Sequence, residues 1–257
     1  TGVQTCALPI LKIVGLGPGN DALITPEVDH ALSAATDIIG YFPYVARVQK
    51  RPGLTLHGSD NRVELDRSKL ALSLAADGKK VAVVSSGDPG VFAMAAAVFE
   101  AVEQGPENYR HLDIEVLPGI TAMLAASARA GAPLGHDFCA INLSDNLKPW
   151  ELIEKRLRLA SEADFAMAFY NPRSKSRPDG FAKALGVLKA CCKDDRPVIF
   201  ARAVSTNDET INIVGLSQTT AEMADMRTMV IVGSSHTRLI QRRGQTPWVY
   251  TPRSVPE

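Results

Sequence analysis

Short apolar runs alternate with amphipathic stretches along most of the chain. Residues 10–16, 38–40, 80–85 and 112–117 are short and almost continuously apolar, which predicts buried strands. Between them, residues 26–35, 63–76, 93–102 and an Ala-rich stretch over 122–130 carry helical spacing. Thr25 before Pro26, with Glu27 in the first turn, marks a helix start. Alternation of this kind predicts an α/β fold with a parallel sheet covered on both faces. The second half repeats it, with strands over 138–143, 165–170, 197–202, 209–214 and 229–232 and helices over 149–161 and 180–192. The short link between the last two strands predicts an antiparallel pair. Gly131-Ala132-Pro133-Leu134-Gly135 reads as a boundary, giving α/β domains over 10–131 and 136–243. Residues 41–61 read as irregular, and the tail from Arg242 as extended. Residues 1–9 lack the pattern and are read as a non-native extension.

Composition narrows the classes of function. The 257 residues carry zero formal net charge, so no global basic field points to nucleic acid. No apolar run reaches the roughly 20 residues a bilayer span needs, so no membrane partner is expected. Cys191 and Cys192 are adjacent, without the spacing of a zinc site, and no metal is expected. Four cysteines in a chain of this size read as reduced thiols and a cytoplasmic protein.

Candidate chemistry gathers where strands end. Val84-Ser85-Ser86-Gly87-Asp88-Pro89-Gly90-Val91-Phe92 joins a strand to a helix, at the sheet edge where open α/β folds bind ligands. Asp88 is its only charge, and reads either as a helix N-cap or as a ligand contact. Gly15-Leu16-Gly17-Pro18-Gly19 invites a dinucleotide reading, as in a nicotinamide-dependent oxidoreductase. Three features disfavour it. The G-x-G-x-x-G spacing is absent, Gly40 and Tyr41 stand where a ribose-binding acid belongs, and Pro18 removes a backbone donor. Tyr41, Phe42 and Tyr44 lie near Arg47, Lys50 and Arg51, while Arg173, Lys175 and Arg177 follow a strand exit. Guanidinium groups placed there could grip carboxylates in two-pronged fashion.

Four motifs in order carry a resemblance: Val14-Gly15-Leu16-Gly17-Pro18-Gly19, Ser86-Gly87-Asp88-Pro89-Gly90-Val91-Phe92, Pro118-Gly119-Ile120-Thr121-Ala122 and Phe169-Tyr170-Asn171-Pro172. Together they resemble the tetrapyrrole methylase family over residues 10–243. The resemblance implies two α/β domains with a ligand cleft between them, S-adenosylmethionine as methyl donor, a small-molecule tetrapyrrole as acceptor, and a homodimer. It implies that Pro18 lines the donor site, and that Ser86, Gly87 and Asp88 surround the ribose and amino-acid parts, with Val91 and Phe92 alongside. Thr121 and Ala122 would hold the methionine end, Asn171 would add a contact, and Ala203 and Met229 would close over the adenine. The segments from Ile39 to Tyr44, Asn142 to Asp145 and Tyr170 to Ser174 are similar to the branch that methylates C(17) of a corrin precursor with ring contraction. Relatives acting on uroporphyrinogen carry an acid where Tyr41 stands, so that base does not transfer. Tyr41, Asp145 and His136 are then the acid–base candidates, and Arg173 the candidate grip on substrate carboxylate. The alternatives are a methylase of another corrin-precursor carbon, one acting on ribosomal RNA or a protein side chain, the oxidoreductase, and a non-catalytic binding module.

Overall fold

The computed structural model describes residues 10–60 and 63–254. The reading of residues 1–9 as an extension falls outside them. In chain order the elements are β1 (Ile10–Gly15), α1 (Pro26–Ala34), β2 (Asp37–Tyr41), α2 (Phe42–Val45), β3 (Thr55–Ser59), α3 (Glu64–Ala76), β4 (Val81–Ser85), α4 (Met94–Gln104), β5 (Asp113–Leu117), α5 (Ala122–Ala130), β6 (Gly131–Ala132), β7 (Phe138–Asn142), α6 (Trp150–Glu162), β8 (Ala166–Tyr170), α7 (Gly180–Cys191), β9 (Pro197–Arg202), β10 (Thr210–Gly215), β11 (Thr228–Val232), β12 (Arg238–Arg242) and β13 (Gln245–Tyr250). The chain divides into two compact units between Thr121 and Ala122. The division falls ahead of the Gly131–Gly135 stretch, and α5 groups with the second unit, where it lies against β11.

The first unit is a parallel sheet of order β3-β2-β4-β1-β5. Period-two alternation decides which side chains go where. Leu11, Ile13, Ile39, Val81 and Val83 pack with Ala71, Leu72, Ala75, Ala95 and Val98 of α3 and α4 on one face. Val14, Ile38, Ala82 and Val84 pack with Val28, Ala31 and Leu32 of α1 on the other. The side chain of Thr25 caps α1, accepting from the Val28 amide at 3.3 Å. The connections leaving β1 and β4 run to opposite ends of the sheet, so the tips of these neighbours form its topological switch point.

The second unit holds a mixed sheet of order β10-β9-β11-β8-β7, parallel only between β7 and β8. Met167, Phe169, Val198, Phe200, Val230 and Val232 pack against α6 and α7.

Three expectations need correction. Residues 41–60 are not irregular throughout: α2 and the edge strand β3 flank a loop over 46–54, and Thr-Leu-His-Gly-Ser at 55–59 is too polar to announce a strand, while residue 61 lies outside the described residues. The strands β10 and β11 do not pair with each other; both run antiparallel to β9, which lies between them. The tail is not simply extended but folds into a hairpin, β12–β13, turning at Gly244 with φ +68°. Its second strand pairs with Gly131 and Ala132, so two residues of the glycine-bearing stretch become β6.

Candidate active site

At the switch point the backbone is knotted by glycine. Gly87 N–H donates to Gly17 O at 2.9 Å and Gly17 N–H returns a bond to Gly87 O at 3.2 Å. A Cβ on Gly15 would fall 2.4 Å from Gly87 O, and one on Gly119 would fall 2.2 Å from the same atom. Three strand tips therefore approach at distances that only glycine permits. Asp88 fastens them further: Oδ1 accepts from Gly90 N–H at 2.8 Å and Oδ2 from Gly119 N–H at 3.1 Å. The helix-cap reading of Asp88 is thus corrected, because the N-cap of α4 is Ala93, with no side-chain bond. Arg47 closes the other side of the β1 loop, donating to Leu16 O at 2.7 Å and Gly17 O at 3.4 Å.

This corner bears on the choice of ligand. A pyrophosphate-binding glycine loop aims free backbone N–H groups at its ligand. Here the N–H groups of Gly17, Gly87 and Gly119 are already bonded, and Pro18 has none. Half-buried Pro18, Ser86 and Val91 and buried Thr121 stand beside the knot as a mostly uncharged surface. Such a surface offers a pyrophosphate few backbone donors.

Pro18, Ser86, Gly87, Asp88 and Thr121 are thus gathered at one edge of the first sheet, with Val91 and Phe92 in the turn that follows β4. Tyr41 ends β2 at the same edge and meets the Tyr44 ring edge-on, with centroids 5.3 Å apart. Burial, reinforced by the nearby Tyr41, pushes the Tyr44 phenol above its ordinary value.

In the second unit, the exits of β7, β8 and β9 and the start of β11 share one edge. Asn171 follows β8 with φ +52°, and its Nδ2 donates to Asn142 Oδ1 at 3.1 Å. Ala203 follows β9 with φ +48°, its N–H donating to Arg227 O at 2.8 Å. Met229 is buried on β11 beside it, opposite Ala201. Ala122 opens α5, where Met123 N–H donates to the Tyr170 hydroxyl at 3.3 Å. Asp145 lies exposed on the β7 exit. Arg173 donates from Nε to Pro178 O at 3.2 Å, and Arg177 from Nη1 to Asn171 O at 3.4 Å, so both also brace the β8 exit. Lys148 donates to Ser144 O at 2.8 Å, and burial together with Arg156 and Arg177 pushes its pKa down.

Two cations of the 41–51 segment serve the fold. Arg47 holds the β1 loop, and Arg51 donates to the carbonyls of Leu32, Ser33 and Ala35 at the end of α1. The His136 ring accepts from the Asp137 amide at 2.7 Å. Arg67 was invisible as a candidate because it lies inside a helix. Its signal was periodicity: it heads the buried stripe Arg67, Ala71 and Ala75 of α3.

The fold has known counterparts. The chain belongs to the tetrapyrrole (corrin/porphyrin) methylases, whose family model matches residues 11–220. It is 54% identical to the precorrin-3B C(17)-methyltransferase of a Sinorhizobium species, over 95% of this chain and 96% of that protein. The probable cobalt-factor III C(17)-methyltransferase of Salmonella typhimurium is 39% identical, over 94% of this chain and 100% of that protein. The crystal structure of the methyltransferase CobJ superposes with a TM-score of 0.90 and 62% identity, covering 94% of this chain and 99% of that one.

Proposed function

We infer that this chain is an S-adenosylmethionine-dependent methyltransferase of cobalamin biosynthesis, adding a methyl group to C(17) of precorrin-3B as the macrocycle contracts. The observation that carries the donor assignment is the bonded glycine corner, whose closely packed backbone offers a phosphate no amides at Gly17, Gly87 or Gly119. The higher identity to the precorrin-3B enzyme than to the cobalt-factor III enzyme favours a metal-free acceptor.

Bound S-adenosylmethionine supplies a methyl group on positively charged sulfur. Pro18, Ser86, Gly87 and Asp88 are assigned to its ribose and amino-acid parts, and Val91, Phe92 and Thr121 to the walls around them. Ala122, Asn171, Ala203 and Met229 are assigned to it on the family resemblance. The residues' part in catalysis is to fix the donor's orientation and to keep water from the methyl group, since orientation alone removes a barrier of roughly 7–11 kcal/mol in favourable cases. Three of the assigned residues, Phe92, Asn171 and Ala203, hold left-handed backbone without being glycine. Such strain persists where the surroundings over-determine it, commonly at ligand sites. Tyr41 and Asp145 are assigned to proton movement during ring contraction, and Arg173 to a substrate carboxylate. The reading extends to a homodimer on the resemblance alone, and to the cytoplasm on the reduced-thiol reading of the cysteines.

Calorimetric titration tests it. S-adenosylmethionine and its demethylated product should bind with dissociation constants in the micromolar range, while NAD shows no heat. Binding of NAD alone would overturn the assignment.

A further inference from the structure

The tips of β3, β2 and β4 carry a cluster that, Phe92 apart, is not assigned to the donor. Its centre is Arg67, only 4% exposed. Its Nε donates to Ser59 Oγ at 2.9 Å, its Nη2 to Asp60 O at 2.7 Å, and its Nη1 meets Met94 Sδ at 3.2 Å. A hydroxyl, a carbonyl and a thioether are all neutral. Among the described residues no carboxylate lies within ion-pair distance of this guanidinium, and the side chains of Glu64, Tyr44 and Asp60 act on its charge from further off. Burying a cation among neutral partners is costly. The arrangement is accounted for if an anion comes to the corner.

The surroundings are aromatic. Tyr41 and Tyr44 stack edge to face. Phe42 is 59% exposed, although its ring is seated on the edge strand: a Cβ on Gly58 would fall 2.6 Å from Phe42 Cδ1. Phe92, two residues before Met94, is 48% exposed with φ +52°. A bulky residue at positive φ is a genuine outlier, of the kind that gathers at ligand sites. Two large, partly exposed aromatic rings thus follow the neighbouring strands β2 and β4, on the segments next to the Arg67 cluster.

We propose that this corner receives the acceptor. Phe42 and Phe92 offer apolar surface to a flat macrocycle, and Arg67 is a positioning residue whose buried charge favours ligands rich in carboxylate. The proposal rests on the methyltransferase reading and deepens it. It accounts for the neutral partners of Arg67, the seat of Phe42 on Gly58 and the strained Phe92 together.

The test uses the full chain and two stable probes, uroporphyrin and the less carboxylated coproporphyrin, followed by absorbance, with S-adenosylhomocysteine titrated in parallel. Arg67→Met should weaken uroporphyrin binding about tenfold, flatten its dependence on ionic strength and shrink the preference for uroporphyrin. Arg67→Lys should restore much of the salt dependence. Phe42→Ala, and Gly58→Ala, which displaces the Phe42 ring, should weaken both porphyrins alike and keep the salt dependence. S-adenosylhomocysteine affinity should stay within about twofold in every variant, because none of these side chains is assigned to the donor. Unchanged uroporphyrin affinity and salt dependence in Arg67→Met would overturn the role of Arg67. Unchanged porphyrin binding in both Phe42→Ala and Gly58→Ala would overturn the aromatic surface. If the unaltered chain fails to bind S-adenosylhomocysteine, the methyltransferase reading fails instead.

Discussion

Asp88 shows how one side chain can serve fold and ligand together. Both carboxylate oxygens are occupied, one by the Gly90 amide and one by the Gly119 amide, so the group links the β4 turn to the β5 exit. Hydrogen bonds to a charged acceptor contribute about 1.5–3 kcal/mol each at most, and less where water reaches them, as at this half-buried carboxylate. Asp88→Asn keeps one acceptor and turns an NH2 group toward a backbone N–H. We expect a loss of about 1–2 kcal/mol in stability. Donor affinity should fall as well, by about tenfold, because two corners of the assigned site shift together. Paired measurements of Tm and S-adenosylhomocysteine affinity separate the effects. A lowered Tm with unchanged affinity would leave Asp88 as a structural staple only.

At the scale of elements, the tips of β1, β4 and β5 succeed because Gly15, Gly87 and Gly119 let their backbones touch. Gly15→Ala would place a methyl 2.4 Å from Gly87 O and 2.8 Å from Gly119 N, atoms that cannot move aside separately. We expect a loss of more than about 3 kcal/mol in urea denaturation, together with loss of donor binding. Gly186→Ala is the contrast, since it lies exposed in α7 with nothing within 4 Å of its Cβ position, and should stabilise by about 0.5–1 kcal/mol. A mild effect at Gly15 would show that the corner can open. The same elements show what a sequence reveals. Val81–Ser85 and Thr25-Pro26 announced β4 and α1 because burial on both faces and helix capping act locally. The edge strand β3 was hidden because polar Thr55, His57 and Ser59 suit a sheet margin as well as a loop. The β12–β13 hairpin was hidden because β13 depends on pairing with Gly131 and Ala132, far away in sequence. In the site, the glycine corners were legible as motifs. The double bonding of Asp88 and the burial of Arg67 needed tertiary neighbours, and so did the diversion of Arg47 and Arg51 to backbone carbonyls.

For the whole molecule, acid stability follows in part from depressed carboxylates, Asp37 in the first unit and Asp164 in the second among them. Asp37 starts β2, is buried, and accepts from Thr36 Oγ1 at 2.8 Å while meeting His57 Nε2 at 2.8 Å. Burial alone would raise its pKa, but the bonds to His57 and Thr36 and the His57 charge hold it below the ordinary carboxylate value. Asp164 precedes β8. Burial opposes its ionisation too, yet the Ser235 hydroxyl and amide and the Arg196 guanidinium at 2.9 Å keep it depressed. A carboxylate depressed in the folded state binds fewer protons there than in the unfolded chain, so stability rises with pH between the two values. The contribution is complete above the unfolded value near about 4 and is lost as pH falls through the folded one. Asp37→Asn and Asp164→Asn should therefore each lower the urea midpoint at pH 7, and each should flatten its decline below about pH 4. Both tryptophans, Trp150 and Trp248, lie in the second unit, so indole fluorescence follows that unit while far-ultraviolet dichroism follows both. The Asp164 variant should alter the fluorescence-detected acid profile, and the Asp37 variant the dichroic one. If both variants keep the unaltered slope below pH 4, the acid sensitivity resides in other carboxylates.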